Sequence, residues 1–187
     1  MKKNALLLVI LIPCFQLFSQ DSKISFELNY PIPFGDNFLG DNYVGIIDAG
    51  ADYRFIELNP VKIGVSINGN VLTNNKFDTS ETTAYILQPR IFGELTIESI
   101  KKLRPSVGIG YTVIVLDSSI TTNTGELNET ETLNGFNLNV GIGYNITKKF
   151  FAQIQYDFLR LSEEDNVPDI AFNRNVNLLK IGLGYRL

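Results

Sequence analysis

The chain has 187 residues, with 20 acidic against 16 basic side chains, no histidine and a single cysteine. Lacking histidine, it has no Ser–His or Cys–His machinery, and its net charge of −4 does not suit nucleic acid, which requires a basic patch. One domain fits this length.

The first 20 residues, MKKNALLLVILIPCFQLFSQ, place two lysines before an apolar run from Ala5 to Ile12, with Ser19 near a plausible cut. That is the form of a secretory signal peptide, and the run is too short for a transmembrane helix, which needs about 20 apolar residues. Cys14 lies inside it; Pro13 and the apolar residues after it argue against a lipidation site. The expected division is a signal at 1–20 and a mature domain at 21–187, without cysteine and hence without a disulfide. Loss of Lys2 and Lys3 leaves 14 basic against 20 acidic residues, a net charge of −6.

The mature part repeats one device, a run alternating apolar and polar residues between turn residues. In chain order the apolar sets begin at Ile24, Ile47, Val61, Tyr85, Val107, Phe136, Ala152 and Leu179. A period of two puts each set on one face of a β-strand, so eight strands are predicted. Beyond the signal, only Glu98 to Leu103 shows anything like a helical turn. The last strand, LLKIGLGYRL, runs to the chain end, and a terminal strand stays ordered when it is tied into a sheet. A sheet without edges is a closed barrel. Connections alternate in length: PIPFGDNFLGDN, TNNKFDTSET, DSSITTNTGELNETET and LSEEDNVPDIAFNR are long, whereas IELNP and TKK are short. Long loops at one end and short turns at the other mark an outer-membrane barrel, with long loops outside and short turns in the periplasm. Twelve of the 20 acidic residues fall in the four long connections, and Lys101, Lys102, Lys148 and Lys149 in short ones.

The alternate parity carries charge and glycine. Glu27, Asp48, Asp52, Arg54, Lys62, Arg90, Arg104, Lys180 and Arg186 share it, as do the pairs Gly108–Gly110, Gly141–Gly143 and Gly182–Gly184. A membrane barrel turns apolar residues to lipid and polar ones inward, so these charges are expected to form a lumen ion-pair network, with the glycines making room for larger neighbours. The Asp48–Asp52 pair could in principle serve acid–base chemistry. The mixed signs around it favour a structural role, since buried charge is normally paired. The echo VGIGY, VGIGY, IGLGY lacks the third glycine and following helix of a dinucleotide fingerprint. Glu163, Glu164 and Asp165 read as a solvated run rather than a cation site. Asn128-Glu129-Thr130 and Asn145-Ile146-Thr147 match a glycosylation triplet that is common by chance. On the apolar parity, Tyr30 and Tyr85 near one end and Tyr53, Tyr144 and Tyr185 near the other form two candidate aromatic girdles. Phe34, Phe38, Leu39, Ile120, Ile170 and Phe172 are the candidate loop contacts.

The signal, eight amphipathic strands, long outer loops and an ending in GLGYRL together resemble the small outer-membrane β-barrels of Gram-negative bacteria, of the OmpX and OmpA transmembrane-barrel type. The resemblance implies an all-β, eight-stranded antiparallel up-and-down barrel integral to the outer membrane, both termini periplasmic. Its expected partners are outer-membrane lipid, lipopolysaccharide and the insertion machinery that reads the last strand; here Tyr185 is the last aromatic and Leu187 is terminal. No periplasmic domain is expected after the barrel, and no cofactor or metal. The expected function is non-enzymatic: a membrane scaffold, or a binding and adhesion surface built from four long loops. The alternatives are a subunit of a larger outer-membrane assembly and a soluble lipocalin-like carrier.

Overall fold

The computed structural model describes residues 23–77, 80–122, 125–162 and 168–187; the signal assignment, Cys14 and the Glu163–Asp165 run lie outside the described residues. Eight strands close in chain order: β1 (Ile24–Phe34), β2 (Val44–Leu58), β3 (Val61–Phe77), β4 (Ser80–Leu95), β5 (Leu103–Thr122), β6 (Gly125–Asn145), β7 (Phe150–Leu161) and β8 (Asn175–Arg186). All neighbours are antiparallel. β1 and β8 seal the barrel from Ser25↔Arg186 to Phe34↔Asn177, and the Leu187 N–H donates to the Ile24 carbonyl at 3.2 Å.

Burial follows the alternation, in the inverted sense. On β1, Ser25, Glu27 and Asn29 are buried while Ile24, Phe26, Leu28 and Tyr30 are exposed. Val107 and Ile109 on β5, and Val140 and Ile142 on β6, likewise point out. This overturns the lipocalin-like alternative, which needs its apolar face inside. Two bulges in β2, between Gly45 and Ile47 and between Arg54 and Ile56, each insert one residue. As a result Ile46 and Ile47 both face outward, and so do Phe55 and Ile56.

Two of the four expected long loops are strand instead. The β3–β4 ladder continues to Phe77↔Ser80 and the β5–β6 ladder to Thr122↔Gly125. Sequence hydropathy hid them because a sheet with both faces in water needs no apolar parity. The barrel is therefore lopsided, with β5 and β6 running 20 and 21 residues and β1, β7 and β8 only 11 or 12. The low side carries two short helices that the sequence reading did not foresee, α1 (Phe38–Asn42) and α2 (Ala171–Arg174). Asn37 caps α1: its Oδ1 accepts from Gly40 N–H at 2.8 Å, satisfying one of the N–H groups that a helix start leaves open, while its Nδ2 donates to the Phe34 carbonyl at 2.8 Å. The expected turn near Glu98 is a 3₁₀ helix, Glu98–Ile100.

The interior has two zones. Toward the tall end the inward parity becomes apolar: Leu72, Ala84, Ile86, Ile114, Leu159, Leu161, Val176 and Leu178 are buried together, and Leu39 of α1 packs into them with no exposure. Toward the short-turn end it is charged. There glycine makes room as expected, since a Cβ at Gly184 would run into the Phe151 ring. Gly184→Val is expected to lower stability by about 1–3 kcal/mol, as overpacking does. The shift of the urea midpoint in detergent micelles checks this, and an unshifted midpoint would mean that the ring is free to move.

Candidate functional site

Among the described residues, ten ionisable side chains line the short-turn half of the lumen, five acidic and five basic: Glu27, Asp48, Asp52, Glu94 and Asp157 against Arg54, Arg90, Arg104, Lys180 and Arg186. At mid-barrel, Lys180 Nζ lies 2.9 Å from Asp48 Oδ2 and 2.8 Å from Asp157 Oδ2, and donates to Gln88 Oε1 at 2.8 Å. Arg90 Nη2 bonds Asp157 at 3.2 Å and Gln88 at 3.0 Å. Asn29 and Asn139 donate to Asp48 and Asp157 at 2.5 and 2.6 Å. Nearer the short turns, Glu94 accepts from Arg54 and Arg104, each at 2.8 Å, with Arg186 at 3.8 Å. The guanidinium groups of Arg54 and Arg186 lie over the Phe92 and Phe151 rings, 5.4 and 4.4 Å from the centroids.

Eight of the nine residues predicted for the lumen face this interior together. Lys62 does not join them: it pairs with Glu57 at 3.5 Å on the partly exposed rim, because at the strand start its long stem reaches solvent. Among the described residues Glu27 meets no cation; three amides, from Asn68, Gln153 and Gln155, donate to it at 2.5, 2.6 and 3.0 Å. Glu94 and Asp157, which the predicted network does not include, are both central to it. Asp48 and Asp52 are held apart in function, Asp48 by Lys180 and Asp52 by the Ser25 hydroxyl at 2.8 Å. Each carboxylate is consumed by structure.

The charged half of the lumen offers little free space, whereas a cavity of about 190 Å³ opens at the tall mouth among Phe38, Leu116, Leu133 and Leu161. A polar cavity of about 40 Å³ lies among Glu27, Arg54, Glu94 and Gln153, room for no more than a few waters, each of which needs about 10–15 Å³ of such space. The apolar zone closes the barrel above it. Such an interior is filled by its own side chains, as expected of eight strands.

Outside, Tyr30, Tyr53, Tyr85 and Tyr144 are each about half exposed, and Tyr185 somewhat less so. Tyr111 and Tyr156, of the same parity but not among the girdle candidates, also lie on the outer wall, donating to Asn134 at 2.9 Å and Asn177 at 2.7 Å. Of the candidate loop contacts, Leu39 is a fully buried plug that cannot meet a partner, and Phe38 packs half-buried against the same cluster. Phe34 stacks beside Tyr156 on the outer wall, centroids 6.0 Å apart. Ile120 is half-buried on β5, Phe172 half-buried in α2, and Ile170 exposed.

An inverted barrel with a packed, charge-balanced lumen is one architectural class, and a family model for the outer membrane protein β-barrel domain matches residues 7–186. The chain belongs to that family. It is an integral outer-membrane β-barrel protein. Solved structures give the same fold. Ail of Yersinia pestis, in complex with the heparin analogue sucrose octasulfate, superposes with a TM-score of 0.60 at 16% identity, covering 89% of this chain and 97% of Ail. OprG of Pseudomonas aeruginosa gives 0.56 at 8% identity, covering 89% and 96%. Neisserial surface protein A gives 0.52 at 15%, covering 88% and 96%. No curated protein sequence matches the chain.

Proposed function

We propose that this outer-membrane barrel is a non-enzymatic binding scaffold whose contact surface is the tall outer sheet of β3–β6, directed to the cell exterior, with the short turns and both termini in the periplasm. One observation carries the reading. Pairing of β6 with β7 stops at Gly135↔Leu161, whereas pairing with β5 runs on to Gly125. Among the described residues, β6 from Leu127 to Leu133 has a neighbour on one side only. The Asn134 carbonyl accepts from Ser162 on the β7 side at 2.7 Å, so alternate residues Thr132, Thr130 and Asn128 turn their N–H and C=O groups the same way, toward the open edge. An edge of this kind is a template for an added strand.

The surroundings of that edge are acidic. Glu81 and Asp117 lie with Thr83, Ser119 and Asn128 on the outer face, and Glu129 and Glu131 are exposed on the edge strand itself. The sign favours a cationic, extended partner segment. It opposes a polyanion such as the sulfated sugar in the Ail complex, so the shared fold does not bring that ligand with it. The enzymatic alternative has no support in the lumen, where the carboxylates are bound up in ion pairs and amide bonds.

Thr130→Pro tests the reading, because it removes one edge N–H without touching the β5 ladder. Cells displaying the variant should bind an immobilised lysine-rich strand-forming peptide at least about tenfold more weakly than wild type, the worth of one lost hydrogen bond near 1.4 kcal/mol. The heat-modified gel shift should stay unchanged. Equal binding by variant and wild type would eliminate the edge as the contact.

A further inference from the structure

The interior cations are paired, and on the short-turn rim Lys62 pairs with Glu57 at 3.5 Å; four further rim lysines stand apart from any such pair among the described residues. Lys101 and Lys102 close the β4–β5 turn, Lys148 and Lys149 the β6–β7 turn, and all four are exposed. Among the described residues none of them has an ion-pair partner, and Glu98 is the sole acid within 96–102 and 146–149. Two are held over outward-facing rings. Lys102 Nζ lies 5.7 Å from the Tyr144 centroid, and Lys149 Nζ lies 5.5 Å from that of Tyr185 and donates to its hydroxyl at 3.2 Å. The Tyr185 ring is itself braced edge-on by Phe150, centroids 5.0 Å apart.

The backbone fixes where these ammonium groups stand. Asn145 N–H donates to the Lys102 carbonyl and Arg186 N–H to the Lys149 carbonyl, each at 2.8 Å. Thr147 Oγ1 accepts from the N–H groups of Lys149 and Phe150 at 3.2 and 2.9 Å, which locks the four-residue turn. Lys102 and Lys149 therefore rise from their turns directly over a tyrosine at the edge of the apolar band, with Lys101 and Lys148 beside them in the chain. In a membrane-inserted barrel, tyrosines at that level sit among headgroups, so the ammonium groups stand at phosphate depth. Among the described residues no ion pair neutralises them there.

We propose that this rim, Lys101–Lys102 over Tyr144 and Lys148–Lys149 over Tyr185, is a docking surface for anionic phospholipid headgroups. The phosphate is taken by ammonium groups that the rings hold in place, and the acyl chains lie along the apolar wall of β5 to β8. With the orientation given above, the lipids belong to the periplasmic leaflet; the docking itself rests only on membrane insertion. A lysine near an anionic lipid surface favours association by on the order of fivefold, and salt screens the effect.

The test uses the whole mature protein folded into phosphatidylcholine bilayers carrying trace spin-labelled phosphatidylglycerol or phosphatidylcholine. The fraction of motionally restricted label gives the preference for one lipid over the other. Wild type should prefer phosphatidylglycerol several-fold at low salt and lose the preference at high salt. Lys102→Gln with Lys149→Gln should bring the ratio close to one, and Lys102→Arg with Lys149→Arg should keep it. The gel shift on heating confirms that each variant is folded, and Lys101→Gln with Lys148→Gln supplies a second variant should the first fail to fold. A wild-type ratio of one overturns the proposal, as does a preference that survives neutralisation of all four lysines. So does a rim that captures an acidic protein while showing no lipid preference.

Discussion

Lys180→Ala is expected to be among the most damaging single substitutions in the lumen. The ammonium group is fully buried and bridges Asp48 and Asp157 at 2.9 and 2.8 Å. Removing it leaves Asp157 with Arg90 and Asp48 with amides alone, and an uncompensated buried charge costs about 3–5 kcal/mol. The temperature at which the barrel loses its compact gel mobility should fall steeply, and the urea midpoint with it. Lys62→Ala is the contrast: that pair is 3.5 Å long and partly solvated on the rim, where such pairs contribute about 0–1 kcal/mol. Lys180→Met combined with Asp48→Asn should recover much of the loss, because neutral groups of similar volume need no counter-charge. Equal stability of Lys180→Ala and Lys62→Ala would show that lumen water screens the mid-barrel charges, and the network would then contribute little.

The parity of each strand was legible because bilayer and lumen impose opposite demands on neighbouring residues. From Phe136 to Tyr144 every second side chain must suit lipid, and from Asn137 to Gly143 every second one must fit a crowded interior. That contrast reads directly as alternation, and it assigns Asp48, Arg90 and Lys180 to one compartment without coordinates. What parity does not carry is depth. Lys62 and Lys180 share a face, yet one reaches solvent and the other is sealed. Depth was partly available in the sequence: following the inward parity past Gln88, Thr112, Asp157 and Lys180 leads in each case to an apolar residue (Ile86, Ile114, Leu159 and Leu178). These mark the plug. The tall sheet was hidden for the opposite reason, since Thr82, Ser118 and Glu129, like Glu81, Ser119 and Asn128, face water and neither face needs to be greasy. Leu39 was misread because an apolar residue in a polar connection looks exposed until the short helix that turns it inward is seen.

The outer wall makes the second large prediction. Val140 is 54% exposed and lies midway along the apolar band of β6, which runs from Phe136 to Ile146. Ten steps of about 3.3 Å, tilted by roughly 40°, give a band about 25 Å tall, the height of a bilayer-facing girdle. Val140→Arg therefore puts a guanidinium group at mid-depth, where it costs about 2–4 kcal/mol. Thr132→Arg places the same group on the same strand and parity, but above the tyrosines that mark the tall-end boundary, where the cost is about 0–1 kcal/mol. Asn139, the inward neighbour, is a poorer comparison because its amide is committed to Asp157 at 2.6 Å. With both variants folded from urea into vesicles, the Val140 substitution should lower the folded fraction sharply while the Thr132 substitution leaves it near wild type. The difference should shrink in detergent micelles, which deform around a charge more readily than a bilayer. Equal yields in vesicles would mean that the wall of β5 to β7 does not face lipid at Val140, and that another protein surface covers it.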